Sequence, residues 1–518
     1  GRYPQARDVH VLWDHLRAGR DCITEVPASR WDAARWFDPD KRRPGTIYCK
    51  WGGFIDGVDE FDAAFFNISP VEAEFSDPQE RLFLQCAFAA LEDAGLTRET
   101  LGGGGRRVGV YVGVGLGEYG LFGAELQAQG IPLGLAGSPA SIANRVSYVC
   151  NFQGPSLTVD TMCSSSLTAL HLACQALRLG ECDAALVGGV NLSLHPNKYL
   201  LLAQGRFASS KGRCESFGEG GDGYVPAEGV GAVVLKPLAQ AEADGDAIYA
   251  VIKGVAVNHG GKVNGYTVPN PAAQADVVAA ALADAGVDPH TLGFLEAHGT
   301  GTALGDPIEI AGLVRAFGGA TAAARRCAIG SIKSNIGHAE AAAGIAGLTK
   351  VLLQMRHGEL VPSLHAETLN PAIAFEATPF TVQRTLAPWP RPVLQQGGEA
   401  VAQPRRAGLS SFGAGGANAH VVLEEYVAEA ELPAAEPGPW ALVLSARTPE
   451  ALVERARRLL AAIEREAWTD AALPCLAYTL QVGREAMDER LALQAGRMAD
   501  LTAGLAAFLR DGPGAEGL

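Results

Sequence analysis

VDTMCSSSLTALHLACQAL (159–177) is the stretch whose reading decides the fold. A β-branched run, SLTVDT (156–161), ends at Thr161, and a helical pattern starts immediately after Cys163. Leu167, Leu170, Cys174 and Leu177 recur at helical spacing and share one apolar face. A strand that turns straight into a helix is the repeating step of a layered α/β protein. The same step puts a thiol at a helix N-terminus, where unpaired N–H groups and the dipole favour thiolate over thiol. Ser164, Ser165 and Ser166 offer caps and small side chains for a tight turn. A cysteine met alone is more often a small buried apolar residue, and Cys174 and Cys182 are read that way.

Outward from this step the pattern repeats. VGVYVGV (108–114), AALVGGV (184–190), GAVVLK (231–236) and AIGSIK (328–333) read as short buried strands. ERLFLQCAFAALEDAG (80–95) and AQADVVAAALADAG (273–286) read as helices, the second stopped by Gly286. VAEAELPAAEPGP (426–438) reads as a linker. Beyond it, a strand (WALVLSA), a helix (EALVERARRLLAAIERE) and three shorter runs make a small α/β tail without a catalytic motif. The division expected is 1–425 and 426–518.

A chain of 518 residues, 48% hydrophobic and 19% charged, has material for two or three compact units and is not broadly disordered. Its formal charge of −15 opposes binding to nucleic acid or an anionic membrane. The pairs Arg106/Arg107, Arg325/Arg326 and Arg405/Arg406 read as solvated surface. Ten cysteines without a CxxC pair or a Cys/His cluster argue against a metal site and for a reducing compartment. With no signal peptide and no membrane-spanning apolar run, the chain reads as soluble and cytoplasmic. It opens on Gly1 rather than Met, so it reads as a segment of something larger.

Two further stretches carry chemistry. In FLEAHGTGTALGDPIE (294–309), His298 follows a short apolar strand into a Gly/Thr loop, with the Thr300 and Thr302 hydroxyls beside it. In AIGSIKSNIGHAEAAAGIAGLTKVLLQM (328–355), a strand runs into Lys333, a short loop reaches His338, and an Ala-rich helix begins near Glu340. Lys333, His338 and Glu340 are expected to form a buried charge network that fixes the ring and its tautomer. GVGLG (113–117) hints at a dinucleotide loop, but Glu118 breaks GxGxxG, so a nicotinamide or flavin site is not expected.

DTMCSSS, EAHGTGT, GSIKSNIGHAEAAAG and SSFGAGGANAHVVLEE (410–425), in this order, resemble a ketosynthase (β-ketoacyl synthase) domain of a modular polyketide synthase. The resemblance covers residues 1–425, and the tail resembles the linker subdomain flanking such domains. Met162, the GAGGANAH loop and TLQVGREAM (479–487) resemble the branch served by a free-standing acyltransferase. It implies an α/β, thiolase-like fold: two related halves in a five-layered α-β-α-β-α core, as a homodimer, plus a small α/β linker subdomain. It makes Cys163 the acylated nucleophile and His298 and His338 the pair acting on a malonyl thioester. Lys333 supports them through its charge and Glu340 helps organise the site. Thr300 and Thr302 match threonines that bind the phosphopantetheine arm of a carrier protein. Phe412 and Ala414 fall in the substrate loop, the Ala414 N–H joining that of Cys163 as an oxyanion hole. No cofactor is tightly bound, because the phosphopantetheine belongs to the partner. The partners implied are the upstream acyl carrier protein, the malonyl-loaded one, and neighbouring synthase domains.

Three departures stand out. Ala414 replaces a gating Phe common in fatty-acid relatives. Met162 replaces the common Ala before the nucleophile, which is expected to narrow the pocket against branched chains. The family's usual first strand lies before the GRYP segment, which implies N-terminal truncation or disorder. Other readings are a ketosynthase that only transfers acyl chains and a non-catalytic scaffold. A third is a papain-like protease, whose histidine follows its cysteine by about 130–150 residues. His298 follows Cys163 by 135 residues, but no CGSCW-type signature is present and the protease leaves the second histidine stretch idle.

Overall fold

The computed structural model describes residues 1–135, 137–318, 327–396, 399–428 and 438–512. The Arg325/Arg326 pair and linker residues 429–437 lie outside the described residues. The described chain divides into two units: Gly1–Ala64, Ile68–Ala87 and Gly105–Val427 form the first. Phe65–Asn67 and Phe88–Gly104 join the tail from Ala428 onward in the second, an arrangement no sequence pattern announced.

Two large sheets build the core of the first unit. In one, Ser156–Val159, Val108–Val114, Ala184–Asn191 and Gly229–Leu235 lie side by side, the first two junctions parallel and the last antiparallel. The other runs Phe380–Val382, Cys327–Gly330, Phe294–Glu296, Arg406–Phe412, Ala417–Glu425, Ala250–His259, parallel up to Arg406–Phe412 and antiparallel after it. Helix Ser165–Arg178 packs on both sheets, as does helix Ala343–His357, so the two form a layer between them. Helix Ala140–Cys150 covers the outer face of the four-stranded sheet, and helix Pro271–Ala285 that of the six-stranded one. The result is the five-layered α-β-α-β-α order.

A helix between two sheets buries most of its surface, which is why these two are rich in small residues as well as Leu. A Cβ on Gly113 would sit 2.4 Å from the Ser166 nitrogen, and one on Gly344 2.6 Å from Leu167 Cγ. These two glycines set the spacing of the central layer. Leu167 and Leu170 are buried, while Cys174 and Leu177 pack half-buried against the same core. One strand is shorter than its pattern: after Gly330 the chain leaves the sheet, and Lys333 lies in a single helical turn, Lys333–Ile336.

The second unit pairs strands Trp440–Ala446 and Glu489–Ala495 antiparallel beside helices Pro449–Glu466, Leu473–Val482 and Met498–Asp511. Leu452, Leu480, Leu505 and Phe508 fill its core. The ion pairs Arg98–Glu485 at 2.5 Å and Arg455–Glu92 at 3.0 Å tie its early segment to its tail. No helix among the described residues is long and apolar enough to cross a membrane.

Candidate active site

The turn carrying Cys163 is held by its own short side chains. Asp160 Oδ1 accepts the Met162 N–H at 2.8 Å, and Met162 takes φ +58°, left-handed for a residue with a Cβ. Ser165 Oγ donates to the Met162 carbonyl at 2.6 Å and accepts the Thr161 N–H at 2.9 Å, while Ser164 Oγ donates to the Thr161 carbonyl at 2.9 Å. The serines therefore tie the turn together rather than capping the helix. Ser166 Oγ accepts the Ile345 N–H at 3.1 Å, linking the two central helices. Ser411 Oγ donates to the Cys163 carbonyl at 2.6 Å. The backbone N–H groups of Ala414 and Cys163 both reach the sulfur.

Burial pushes the Cys163 thiol up to about 12, with the Glu340 charge adding to the rise and the Lys333 charge and the two N–H groups opposing it. Loss of water on burial is the largest of these influences, and it works against the thiolate expected from the helix N-terminus.

The histidines arrive from the six-stranded side. Glu309, buried in helix Gly305–Ala316, accepts the N–H groups of His298 and Gly299 at 2.7 and 2.8 Å and fixes the loop. His298 Nδ1 accepts the Phe412 N–H at 3.3 Å, and His338 Nδ1 accepts the Glu340 N–H at 2.9 Å. With both Nδ1 atoms accepting, each neutral ring carries its proton on Nε2. The rings meet edge to face, 5.5 Å between centroids and 82° between planes. Burial, reinforced by the Lys333 charge, holds both well below the usual histidine range, so both are neutral donors. His338 Nε2 is buried without a protein partner.

A cavity of about 370 Å³ has Cys163, His298, His338, Thr300 and Thr302 in its wall, with Phe412 and Ala414. The two threonine hydroxyls are 3.1 Å apart. Loop His259–Asn270 supplies much of the remaining wall, and nothing in the sequence singled it out. Lys333, Glu340 and Met162 are not part of that wall. Lys333 is 4% exposed. Its pKa is lowered by burial, against the charges of Glu296, Glu309 and Cys163. Met162 is 43% exposed, with its side chain toward Gly415 rather than on the cavity surface. The expected Lys333–His338–Glu340 network is corrected. The Glu340 carboxylate pairs with Lys198 at 3.1 Å and accepts from the Tyr224 hydroxyl at 3.2 Å, and only its backbone N–H reaches His338. Glu309, Lys198 and Tyr224 escaped the sequence reading. Glu309 closes the quoted GDPIE and could have been found from its place near a helix start. Lys198 and Tyr224 are remote in sequence and carry no local signal.

A thiol, two N–H donors at the sulfur and two neutral imidazole donors in one small cavity define an acyl-transferring site able to stabilise an enolate. The description "Beta-ketoacyl synthase, N-terminal domain" matches residues 1–241 and "Beta-ketoacyl synthase, C-terminal domain" residues 249–367. "RhiE-like, KS-MAT linker domain" matches residues 443–512. Polyketide synthase PksL of Bacillus subtilis (strain 168) is 60% identical over 509 residues, covering 97% of this chain. Polyketide synthase ThaG of Burkholderia thailandensis is 63% identical over 534 residues, covering all of it. The chain spans 11% and 9% of those two proteins' lengths. Among solved structures, the oxazolomycin ketosynthase domain OzmH KS7 of Streptomyces albus JA3453 superposes with TM-score 0.94 at 55% identity, covering 98% of this chain and 87% of that one. The module 6 ketosynthase of the bacillaene synthase from Bacillus subtilis 168 gives 0.88 at 42%, covering 99% and 84%. The chain belongs to the β-ketoacyl synthase family, as a ketosynthase domain of the polyketide synthase kind. Ketosynthase domains of this kind are acyl-transferring enzymes of the carbon–carbon bond-forming class.

Proposed function

We propose that this domain elongates: it takes an acyl chain onto Cys163 and extends it by decarboxylative condensation with a malonyl-carrier protein. The observation that carries the reading is the pair of neutral imidazoles, each with Nδ1 occupied by a backbone N–H and Nε2 left as a donor. The Cys163 sulfur attacks the thioester of the upstream carrier. The tetrahedral oxyanion sits on the N–H groups of Cys163 and Ala414, and the thiol proton leaves with the pantetheine sulfur. Thr300 and Thr302 hold the phosphopantetheine arm. A malonyl thioester then loses carbon dioxide, and its electron pair becomes an enolate stabilised by the Nε2–H groups of His298 and His338. A preorganised donor of this kind is worth about 3–4 kcal/mol. The enolate carbon attacks the acyl-Cys163 carbonyl, and the β-ketoacyl chain leaves on the second carrier as the sulfur regains a proton. Lys333 keeps the site positive for the carboxylate that is lost.

The reading places the domain in a homodimer, between carrier proteins and neighbouring synthase domains, with malonyl units loaded by a free-standing acyltransferase. A transfer-only ketosynthase is the second reading, and the intact His298 of HGTGT weighs against it. Intact-protein mass spectrometry separates the two. The protein is loaded with a simple acyl thioester and then given malonyl-carrier protein. The expected result is acylation at Cys163, then a β-ketoacyl product on the carrier that disappears in His298→Ala. Acylation without extension across several acyl chains overturns elongation.

A further inference from the structure

Behind His338 lies a buried polar group that the reaction above leaves unused. Lys198, in helix Pro196–Gln204, is 2% exposed. Its ammonium donates to Asn191 Oδ1 at 3.0 Å and the Leu192 carbonyl at 2.5 Å, and stands 3.1 Å from Glu340 Oε2. Those three acceptors use all three of its protons. The other Glu340 oxygen accepts from the Tyr224 hydroxyl at 3.2 Å, and the Tyr224 ring lies 4.7 Å from the His338 ring. The neighbouring Glu118 carboxylate is occupied otherwise, accepting the N–H groups of Leu194, His195 and Lys198.

Glu340 needs such an anchor. It takes φ +46°, a left-handed conformation that is strained for a residue with a Cβ. In that conformation its N–H points at His338 Nδ1, 2.9 Å away. A glycine would adopt it freely, but only a long acidic side chain can be gripped from both sides and keep the backbone in place. The His338 backbone is clamped separately, its N–H donating to the Val225 carbonyl at 2.7 Å and its own carbonyl accepting the Ala227 N–H at 2.8 Å. Its ring is thus oriented by Glu340 and Tyr224.

We infer that Lys198 is a positioning residue for condensation: it clamps the Glu340 carboxylate, so that the Glu340 N–H holds His338 Nδ1 and leaves Nε2–H for the enolate oxygen. This rests on the reading of His338 as an enolate donor. Lys198 touches neither the Cys163 sulfur nor the two N–H groups at it, so the clamp reaches loading of the thiol only through the Glu340 charge, whereas it reaches extension through the His338 ring itself.

The test measures the two half-reactions separately on the whole chain, in single turnover: acylation of Cys163 by an acyl thioester, then extension with malonyl-carrier protein. Lys198→Met is expected to extend about 10–100-fold more slowly, the usual effect of losing an outer partner of a working histidine, and to lose several-fold less in acylation. Lys198→Met with Glu340→Gln, which leaves no unpaired charge, is expected to extend faster than Lys198→Met alone. If Lys198→Met does not fold, Lys198→Gln carries the same expectation. Extension at the wild-type rate in the Lys198 variant overturns the clamp, and so does an equal fall in both half-reactions. His338→Ala, run alongside, separates this from the reading beneath it. If His338→Ala extends normally, the enolate role falls. If it fails while the Lys198 variant extends normally, only the clamp falls.

Discussion

Cys163 keeps its proton because burial outweighs the nearby Lys333 charge and the N–H groups of Ala414 and Cys163. A thiol held near 12 has a thiolate fraction that rises tenfold for each pH unit below that value. Alkylation of Cys163 by iodoacetamide, followed by mass, is therefore expected to accelerate about tenfold per unit from pH 7 to 9. A plateau below pH 8 would contradict the burial argument. Individual residues were the most legible level of the sequence where a motif surrounds them: Cys163, His298 and His338 do meet in one cavity. Glu340 shows the limit. Its nearness in sequence to Lys333 and His338 suggested one charge network around the ring, but its carboxylate pairs with Lys198, remote in sequence.

The two central helices are the elements on which the site depends. Ser165–Arg178 was readable from its apolar spacing, and its depth was not, because periodicity does not say how many sheets a helix faces. Gly344 marks the contact: an added Cβ would lie 2.6 Å from Leu167 Cγ and 2.8 Å from Ser166 Oγ. Gly344→Ala is expected to cost about 1–3 kcal/mol in urea unfolding, the usual penalty for overpacking, and to slow Cys163 acylation by shifting the Ser166 end of the turn. Gly286→Ala makes the contrast. Gly286 ends helix Pro271–Ala285 at φ +62° with open space around it. It is expected to cost about 1–2 kcal/mol for its backbone and leave acylation unchanged. Equal effects on acylation would show that the helix contact is not what matters. The strand expected through Lys333 failed at this scale because a β-branched run continues past the point where the sheet stops offering a neighbour.

Across the whole molecule, buried titrating groups oppose one another. Among the described residues, burial lowers His298 and His338 well below the usual range and His420 to about 3. Burial raises Asp77 and Asp306 to about 6 and Glu309 to about 7. As pH falls from 6.5 the unfolded chain gains protons at the three histidines that the folded chain refuses, which destabilises the fold. At the three carboxyls the folded chain holds protons the unfolded one gives up, and stability rises as pH falls toward the ordinary carboxyl range. Around pH 5 the two sets act against each other. Asp77→Asn isolates one member: it is expected to be more stable than the wild type at pH 7, with the gap closing toward pH 5 in thermal melts. A gap that widens on acidification would mean that the fold lowers Asp77 rather than raising it. None of this was visible in composition, which reports charges without saying which are buried. The layered class was visible, because strand and helix patterns alternate. The recruitment of Phe65–Asn67 and Phe88–Gly104 into the tail's unit was not, because contacts remote in sequence leave no local pattern.

The hydrogen bond from the Ile345 N–H to Ser166 Oγ joins a helix that begins at the nucleophile to one that follows the second histidine. The thiol lies in one matched family region, 1–241, and its histidine partners in the other, 249–367, and they share one seam. For anyone splicing such synthases, a crossover between those regions would graft one parent's nucleophile onto another parent's histidines, mixing side chains along the seam that never adapted to each other. Junctions that keep Gly105–Val427 from a single parent leave the seam whole.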